Sequence, residues 1–212
     1  AAILGRKAER LAAAAEELTA KTGRECIAIP TDVRKPEQVE AALAQTIERF
    51  GRLDLVVNGA AGNFLAPAAQ LSYNGFKTVM EIDAGGTWNV CRAAFDKYLR
   101  DHGGQILNIS ATLHYAATPL QLHASAAKAA VDTITRTLAV EWGQIGIRVN
   151  GIAPGPIDGT EGYCANLCYA VAIGLCVDGV PVLGVIAAPN LRSAAAEKGA
   201  GEEAGKTVLS AQ

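Results

Sequence analysis

Short apolar runs alternate with amphipathic stretches over the first three quarters of the chain. The apolar run Ala1–Leu4 predicts a strand, and Lys7–Lys21, with Leu11, Ala14 and Leu18 on one face, predicts a helix. Cys26–Pro30 predicts a second strand, closed by Thr31-Asp32. Pro36–Phe50 predicts a helix with Pro36 in its first turn and Gly51 as its C-terminal cap. Leu53–Val57 predicts a third strand ending in Asn58-Gly59, and a loop then leads into a long helical region from Asn74 to Arg100. Gln105–Ile109, His123–Trp142 and Arg148–Ile152 follow as strand, long helix and strand, the last running into Pro154-Gly155-Pro156.

Strands separated by helices pair in parallel through right-handed crossovers. Strands apolar on both sides need cover on both faces of the sheet. The expected fold is therefore α/β, a doubly wound parallel sheet, with ligands at the carboxyl ends of the strands. Beyond residue 162 the pattern changes. Tyr169–Val177 and Pro181–Pro189 flank Asp178-Gly179, which predicts an antiparallel hairpin. Asp178, Pro181 and the glycines at 174, 179 and 184 interrupt this apolar stretch, so a hairpin is expected and not a membrane-spanning helix. After Asn190 the chain is rich in Ala, Glu and Gly with little periodicity, which predicts a frayed helix or flexible tail. The expected organisation is a domain over 1–162, a hairpin segment over 163–191 and a tail over 192–212.

Composition changes this picture little. A length of 212 residues suits one domain, and 50% hydrophobic against 19% charged residues supplies a core and argues against disorder. A net charge of −2 gives no reason to expect nucleic acid or an anionic membrane as partner. Five scattered cysteines with no C-x-x-C or Cys/His ligand spacing predict buried reduced thiols in a reducing compartment, and no metal site. The chain opens on Ala1 and directly on an apolar run, which leads to the expectation that the natural N-terminus lies upstream; no signal-peptide pattern is visible.

Several residues at predicted strand ends suit a dinucleotide. Arg6, after the first strand, can pair with a ribose 2′-phosphate, which favours NADP(H) over NAD; the alternative is a solvated helix start. Asp32, beside Val33 after the second strand, can accept from an adenine amino group. Asn58 to Gly62, after the third, is small enough at Ala60 and its neighbours for backbone to approach a ribose and nicotinamide. Singly each is turn chemistry. Their shared placement at strand ends is the signal.

The segments Asp32-Val-Arg34, Asn58-Gly-Ala-Ala-Gly-Asn-Phe64, Phe76-Lys-Thr-Val-Met80 and Arg100-Asp-His-Gly-Gly104 resemble the short-chain dehydrogenase/reductase family. So do Asn108-Ile-Ser-Ala-Thr112, Ala126-Ala-Lys-Ala-Ala-Val-Asp132, Leu138-Ala-Val-Glu-Trp-Gly143 and Ala153-Pro-Gly-Pro-Ile157. The Ala-Ala-Gly-Asn-Phe stretch is similar to the dienoyl-CoA reductase branch. The family's Asn-Ser-Tyr-Lys set falls here on Asp83, Ala111, Ala124 and Lys128, with Ser110 one residue away from the Ser position. A carbonyl reductase needs that Tyr as proton donor. Peroxisomal dienoyl-CoA reductases also lack it and keep an Asp and a Lys.

The resemblance implies NADPH-dependent conjugate reduction of a fatty dienoyl-CoA to a 3-enoyl-CoA. A water between Asp83 and Lys128 would protonate the α-carbon, and Lys128 would also hold the nicotinamide ribose. The alternatives for these two are a helix-surface carboxylate and an exposed helix lysine. It further implies cofactor contacts at Pro154, Gly155 and Ile157, substrate contacts at Asn63, Phe64 and Tyr115, homo-oligomers paired through the long helices, and a peroxisomal location. His114 and His123 are expected as loop and helix-start residues and not as catalysts. Phe64, Trp88 and Leu122 are candidates for an acyl channel, with core packing the primary expectation.

Two departures stand out. No Thr-Gly-x-x-x-Gly-x-Gly turn occurs in the chain, so the resemblance implies a doubly wound sheet lacking its first strand and helix. In the family's order 3-2-1-4-5-6-7 that strand is central. The second and fourth strands must then re-pair, or a gap of ~9–10 Å remains and the fold suffers. At the other end, Pro156-Ile-Asp-Gly-Thr160 and the hairpin resemble the magnesium-dependent inositol monophosphatase/bisphosphate nucleotidase family. There the first carboxylate of the motif is replaced by Gly155, leaving Asp158, and one isolated Asp makes a poor Mg²⁺ site.

Overall fold

The computed structural model describes residues 1–115 and 117–155, together with the backbone of 171–177, 180–187 and 209–210. The order is β1 (Ala2–Gly5), α1 (Ala8–Thr22), β2 (Ile27–Pro30), α2 (Pro36–Phe50) and β3 (Leu55–Asn58). It continues with α3 (Tyr73–Met80), a π turn over Glu81–Gly85, α4 (Gly86–Ala94), a second π turn over Phe95–Leu99, α5 (Arg100–His102) and β4 (Gly104–Ile109). α6 (Leu122–Gly143), β5 (Ile147–Pro154), β6 (Val171–Val177), β7 (Val180–Ala187) and β8 (Leu209–Ser210) complete it.

The helix ends have local causes. Gly23 and Gly51 take left-handed φ values of 66° and 72°, and their N–H groups donate to Thr19 and Ile47 carbonyls. Pro36 occupies the first turn of α2. The Ser72 hydroxyl accepts from the Gly75 N–H at 3.0 Å and starts α3. From there to His102 the backbone stays in the right-handed region, so the expected long helix is one rod carrying two π turns.

The strands form two sheets where one was expected. β1 and β2 pair in parallel as a two-stranded sheet. The other sheet runs β3-β4-β5-β6-β7-β8, parallel through β5 and antiparallel from β6 onward. The expected hairpin is β6–β7, although its Asp178-Gly179 turn lies outside the described residues. Leu209–Ser210, expected in a frayed helix or tail, instead adds a short strand to β7.

β1 and β3 do not re-pair. A cavity of about 1000 Å³ separates them, lined by Ala1–Leu4, by β3, and by Leu43, Thr46 and Phe50 of α2. The reason is the anchorage of α2. Its Val39 and Leu43 are 0% and 5% exposed in a core shared with Val90 of α4 and Ile106 of β4. Sliding β2 toward β3 would break that packing. β3 therefore alternates exposed and buried positions, with Leu55 and Val57 about half exposed, where cover on both faces was expected. The carboxyl ends of β2 and β3 nevertheless meet on one helix. The Asn89 amide of α4 donates to Val33 O at 2.9 Å, and the Asn58 amide donates to Cys91 Sγ at 3.3 Å.

Candidate active site

The π turn places Asp83 on the inside of its helix, 1% exposed, where α6 packs against it. Its Oδ1 accepts from the Gly62 N–H at 2.7 Å, so the glycine-rich loop after β3 holds one carboxylate oxygen. Its Oδ2 lies 3.4 Å from the Lys128 Nζ without hydrogen-bond geometry. Lys128 is buried, and its ammonium donates to the Ile109 carbonyl at 2.9 Å, at the carboxyl end of β4. Burial raises the Asp83 pKa above the usual carboxylate value; the Lys128 charge and the Gly62 N–H pull it back in part. The alternatives of an exposed lysine and a surface carboxylate are thereby excluded. Ser110 is buried just after β4 with its hydroxyl toward Lys128 O at 3.5 Å, and Ala124 is buried one turn before Lys128.

His123, near the start of α6, is 0% exposed, and its ring stacks on Phe64 with centroids 4.2 Å apart. Sequence reasoning passed it over. Its position in the first turn of an Ala-rich helix carries no signal of burial. Asn63 donates to Gln121 Oε1 at 3.2 Å, which ties the β3 loop to the entry of α6. Phe64, Trp88 and Leu122 are 43%, 41% and 51% exposed, so the expectation of core packing is corrected. Trp88 and Leu122 lie on α4 and α6, where small residues such as Ala94, Ala124 and Ala127 are among the buried ones, and Phe64 lies on the loop after β3. Tyr115 is 60% exposed and donates to Asp132 Oδ2 at 3.4 Å; burial first, and then Asp132, push its phenol pKa up. His114, expected as a plain loop residue, pairs with the same Asp132 oxygen at 2.7 Å.

At the far end, the Asp32 carboxylate accepts from Arg34 Nε at 3.0 and 3.1 Å. The Arg34 hydrogen bonds hold its pKa at about 2 against a modest burial effect. Arg6 is exposed beside it. Val33 packs against Gly86 so tightly that a Cβ there would meet Val33 Cγ2 at 2.5 Å. The Asn58 side chain is committed to the interior, donating to Asn108 Oδ1 at 2.8 Å, which leaves its backbone as the part that could meet a ligand. Ala60 is exposed, and Pro154 and Gly155 are half-buried at the end of β5. Ile157 and Asp158 lie outside the described residues. Among the described residues, no group of three or more His, Cys, Asp or Glu side chains could hold a metal, and no helix is long and apolar enough to cross a membrane.

The chain that carries this buried Asp–Lys pair has relatives. A family model described as Enoyl-(Acyl carrier protein) reductase matches residues 2–165. The chain belongs to the short-chain dehydrogenase/reductase family. It is 57% identical over 161 residues to the peroxisomal 2,4-dienoyl-CoA reductase of Danio rerio, covering 76% of this chain and 54% of that protein. It is 53% identical to the Arabidopsis thaliana enzyme of the same name, covering 76% and 57%. A short chain dehydrogenase structure from Bacillus anthracis matches with a TM-score of 0.70 at 42% identity, over 74% of this chain and 66% of that one. A gluconate 5-dehydrogenase from Burkholderia cenocepacia, solved with NADP and tartrate, gives a TM-score of 0.68 at 28% identity, over 73% and 60%. The chain thus spans about half the length of the curated relatives it matches. A second model, of the inositol monophosphatase family, matches residues 155–210, which lie almost wholly outside the described side chains.

Proposed function

We propose that this short-chain reductase carries out NADPH-dependent reduction of a 2,4-dienoyl-CoA to a 3-enoyl-CoA, in the peroxisome and as a homo-oligomer. The observation that supports it is the buried Asp83–Lys128 pair, 3.4 Å apart, in a site with alanine at positions 111 and 124 where a carbonyl reductase carries its hydroxyl acids. A site without a phenol suits a substrate whose developing negative charge is delocalised and whose final proton goes to carbon.

The residues present fit the two ends of a dinucleotide. Arg6 and the ionised Asp32 stand together at the carboxyl ends of β1 and β2, suited to a ribose 2′-phosphate and an adenine amino group, with Val33 beside them. Ala60, Pro154, Gly155 and the Asn58 backbone would border the nicotinamide end, with Lys128 on the ribose hydroxyls and Ile157 following. When bound, the reduced nicotinamide supplies hydride to the far end of the diene. The Lys128 charge then favours negative charge moving onto the thioester oxygen. A water against Asp83 and Lys128 delivers a proton to the α-carbon, and Lys128 restores it. Asn63, Phe64 and Tyr115 would wall the acyl thioester.

NADPH fluorescence titration and turnover of a dienoyl-CoA test this reading. We expect saturable binding, and Asp83→Ala to lower turnover by ~10²–10⁴-fold, as for a positioned general acid. Near-full turnover in that variant overturns the assignment. Binding weaker than millimolar places the chain with non-catalytic remnants that act only by associating through their long helices.

A further inference from the structure

Among the described residues, four buried side-chain atoms have no hydrogen-bond partner, and three of them belong to Asp83 and His123. They are Asp83 Oδ2 and both ring nitrogens of His123. A buried polar atom left unpaired is costly, so such atoms gathered in one place indicate a polar ligand that meets Asp83 Oδ2 and one of the ring nitrogens. The two residues are brought together by one loop and one helix: α6 packs on the π turn carrying Asp83, and the loop whose Gly62 N–H donates to Asp83 stacks its Phe64 on His123. Phe64 covers the face of the imidazole, so its nitrogens can be met only along the ring edge.

We propose that His123 is a positioning residue that holds, together with Asp83 Oδ2, one water at the acid end of the site. This rests on the reductase reading and deepens it, by naming what orients the proton-delivering water where the family places a Tyr. The donor and acceptor balance is simple. An ionised Asp83 Oδ2 only accepts, so the shared atom must donate to it, which a water does and a thioester carbonyl does not. A neutral imidazole offers one N–H and one lone pair, so it can meet the same water from either tautomer. Lys128 Nζ, already 3.4 Å from Oδ2, supplies the third contact that a buried water commonly has.

The test uses the full chain and two independent readouts. His123→Phe keeps the ring and its stacking on Phe64 but removes both nitrogens. It is expected to lower kcat for a dienoyl-CoA by ~10–100-fold with KM little changed. His123→Gln, which restores a side-chain amide, is expected to recover part of that loss. In the second arm, ring ¹⁵N resonances of His123 should shift in Asp83→Asn. Asp132→Asn should shift those of His114 and leave His123 unmoved. Unchanged kcat in His123→Phe overturns the proposal, as do His123 resonances that ignore Asp83→Asn. A wild-type chain that oxidises no NADPH in the presence of substrate counts against the reductase reading alone, and the resonance arm still decides the shared water.

Discussion

Replacing Lys128 by Met removes the cation that partners Asp83 and should make stability strongly pH-dependent. Asp83 is 1% exposed, and its Oδ2 is 3.4 Å from the Lys128 Nζ. At an effective dielectric of ~20 their attraction is ~5 kcal/mol. Without it, the Gly62 N–H is the one protein hydrogen bond on the carboxylate among the described residues. Leaving such a charge buried and unpaired typically costs ~3–5 kcal/mol. The carboxyl can escape by taking up a proton. Relative to an unfolded chain titrating near the ordinary value of 3.8, that escape costs ~1.4 kcal/mol for each pH unit above it. The penalty is therefore capped at ~2 kcal/mol at pH 5 and ~4 kcal/mol at pH 7.

The sign follows from the direction of the shift. Burial already raises the folded pKa of Asp83. A carboxyl raised in the folded state favours the fold at low pH, and that advantage is lost as pH rises from 3.8 through the folded value. Lys128→Met raises the folded pKa further and widens the window. Urea unfolding at pH 5 and pH 7 should show the variant within ~2 kcal/mol of wild type at the lower pH and ~3–4 kcal/mol below it at the higher. Adding Asp83→Asn to the variant should restore most of the loss at pH 7. An equal loss at both pH values, or a double variant no better than the single one, refutes the reasoning.

Gly86→Ala would place a Cβ 2.5 Å from Val33 Cγ2 and 3.0 Å from Val33 Cβ. It should cost ~1–3 kcal/mol by thermal unfolding, as overpacking does, and weaken NADPH binding with it. The Asp32–Arg34 pair is partly exposed, so Asp32→Asn should cost below ~1 kcal/mol at pH 7. The Asp32 pKa is depressed to about 2, so this contribution is present above 3.8 and fades as pH falls toward 2; acid titration of wild type against variant by circular dichroism checks it. Burial pushes the Cys91 thiol to about 12, so peptide mapping after iodoacetamide at pH 8 should find Cys91 unlabelled in the folded protein and labelled in urea, while half-buried Cys26 reacts in both.

The order of elements through β5 was legible because two periods and a few caps carry it. Pro36 and Gly51 fix the ends of α2 whatever surrounds them, and its bounds match expectation, while α1 is displaced by one residue at each end. The long helix was legible as a rod, and its π turns were not. A π turn changes which way Asp83 faces without changing its spacing from Phe76 or Val90. The exposure of Trp88 and Leu122 was hidden for a related reason: hydrophobic residues read as core by default, and here alanines already fill the faces that pack. The resemblance pointed to Asp83 and Lys128. It could not show that the ion pair lacks hydrogen-bond geometry, or that both ring nitrogens of the buried His123 find no partner among the described residues. The lack of a partner is a property of three-dimensional packing, and no residue pattern encodes it.

The split sheet divides the candidate site into halves with different supports. Arg6 and Asp32 stand on the two-stranded sheet, held to the rest through α2 and the Val33–α4 contacts. Asp83, Lys128 and His123 depend on the Gly62 loop, the end of β4 and α6, and none of these touches β1 or β2 in any described hydrogen bond. The cavity of about 1000 Å³ falls between the halves. A disturbance of β1–β2 should therefore be felt as lost cofactor affinity with the acid end intact. A disturbance of the π turn reaches both, because that turn feeds directly into α4, whose Gly86 and Asn89 seat Val33. The proposed proton chemistry would thus rest on the half tied to β4 and α6, and the proposed adenine end is where the structure asks most of a few contacts.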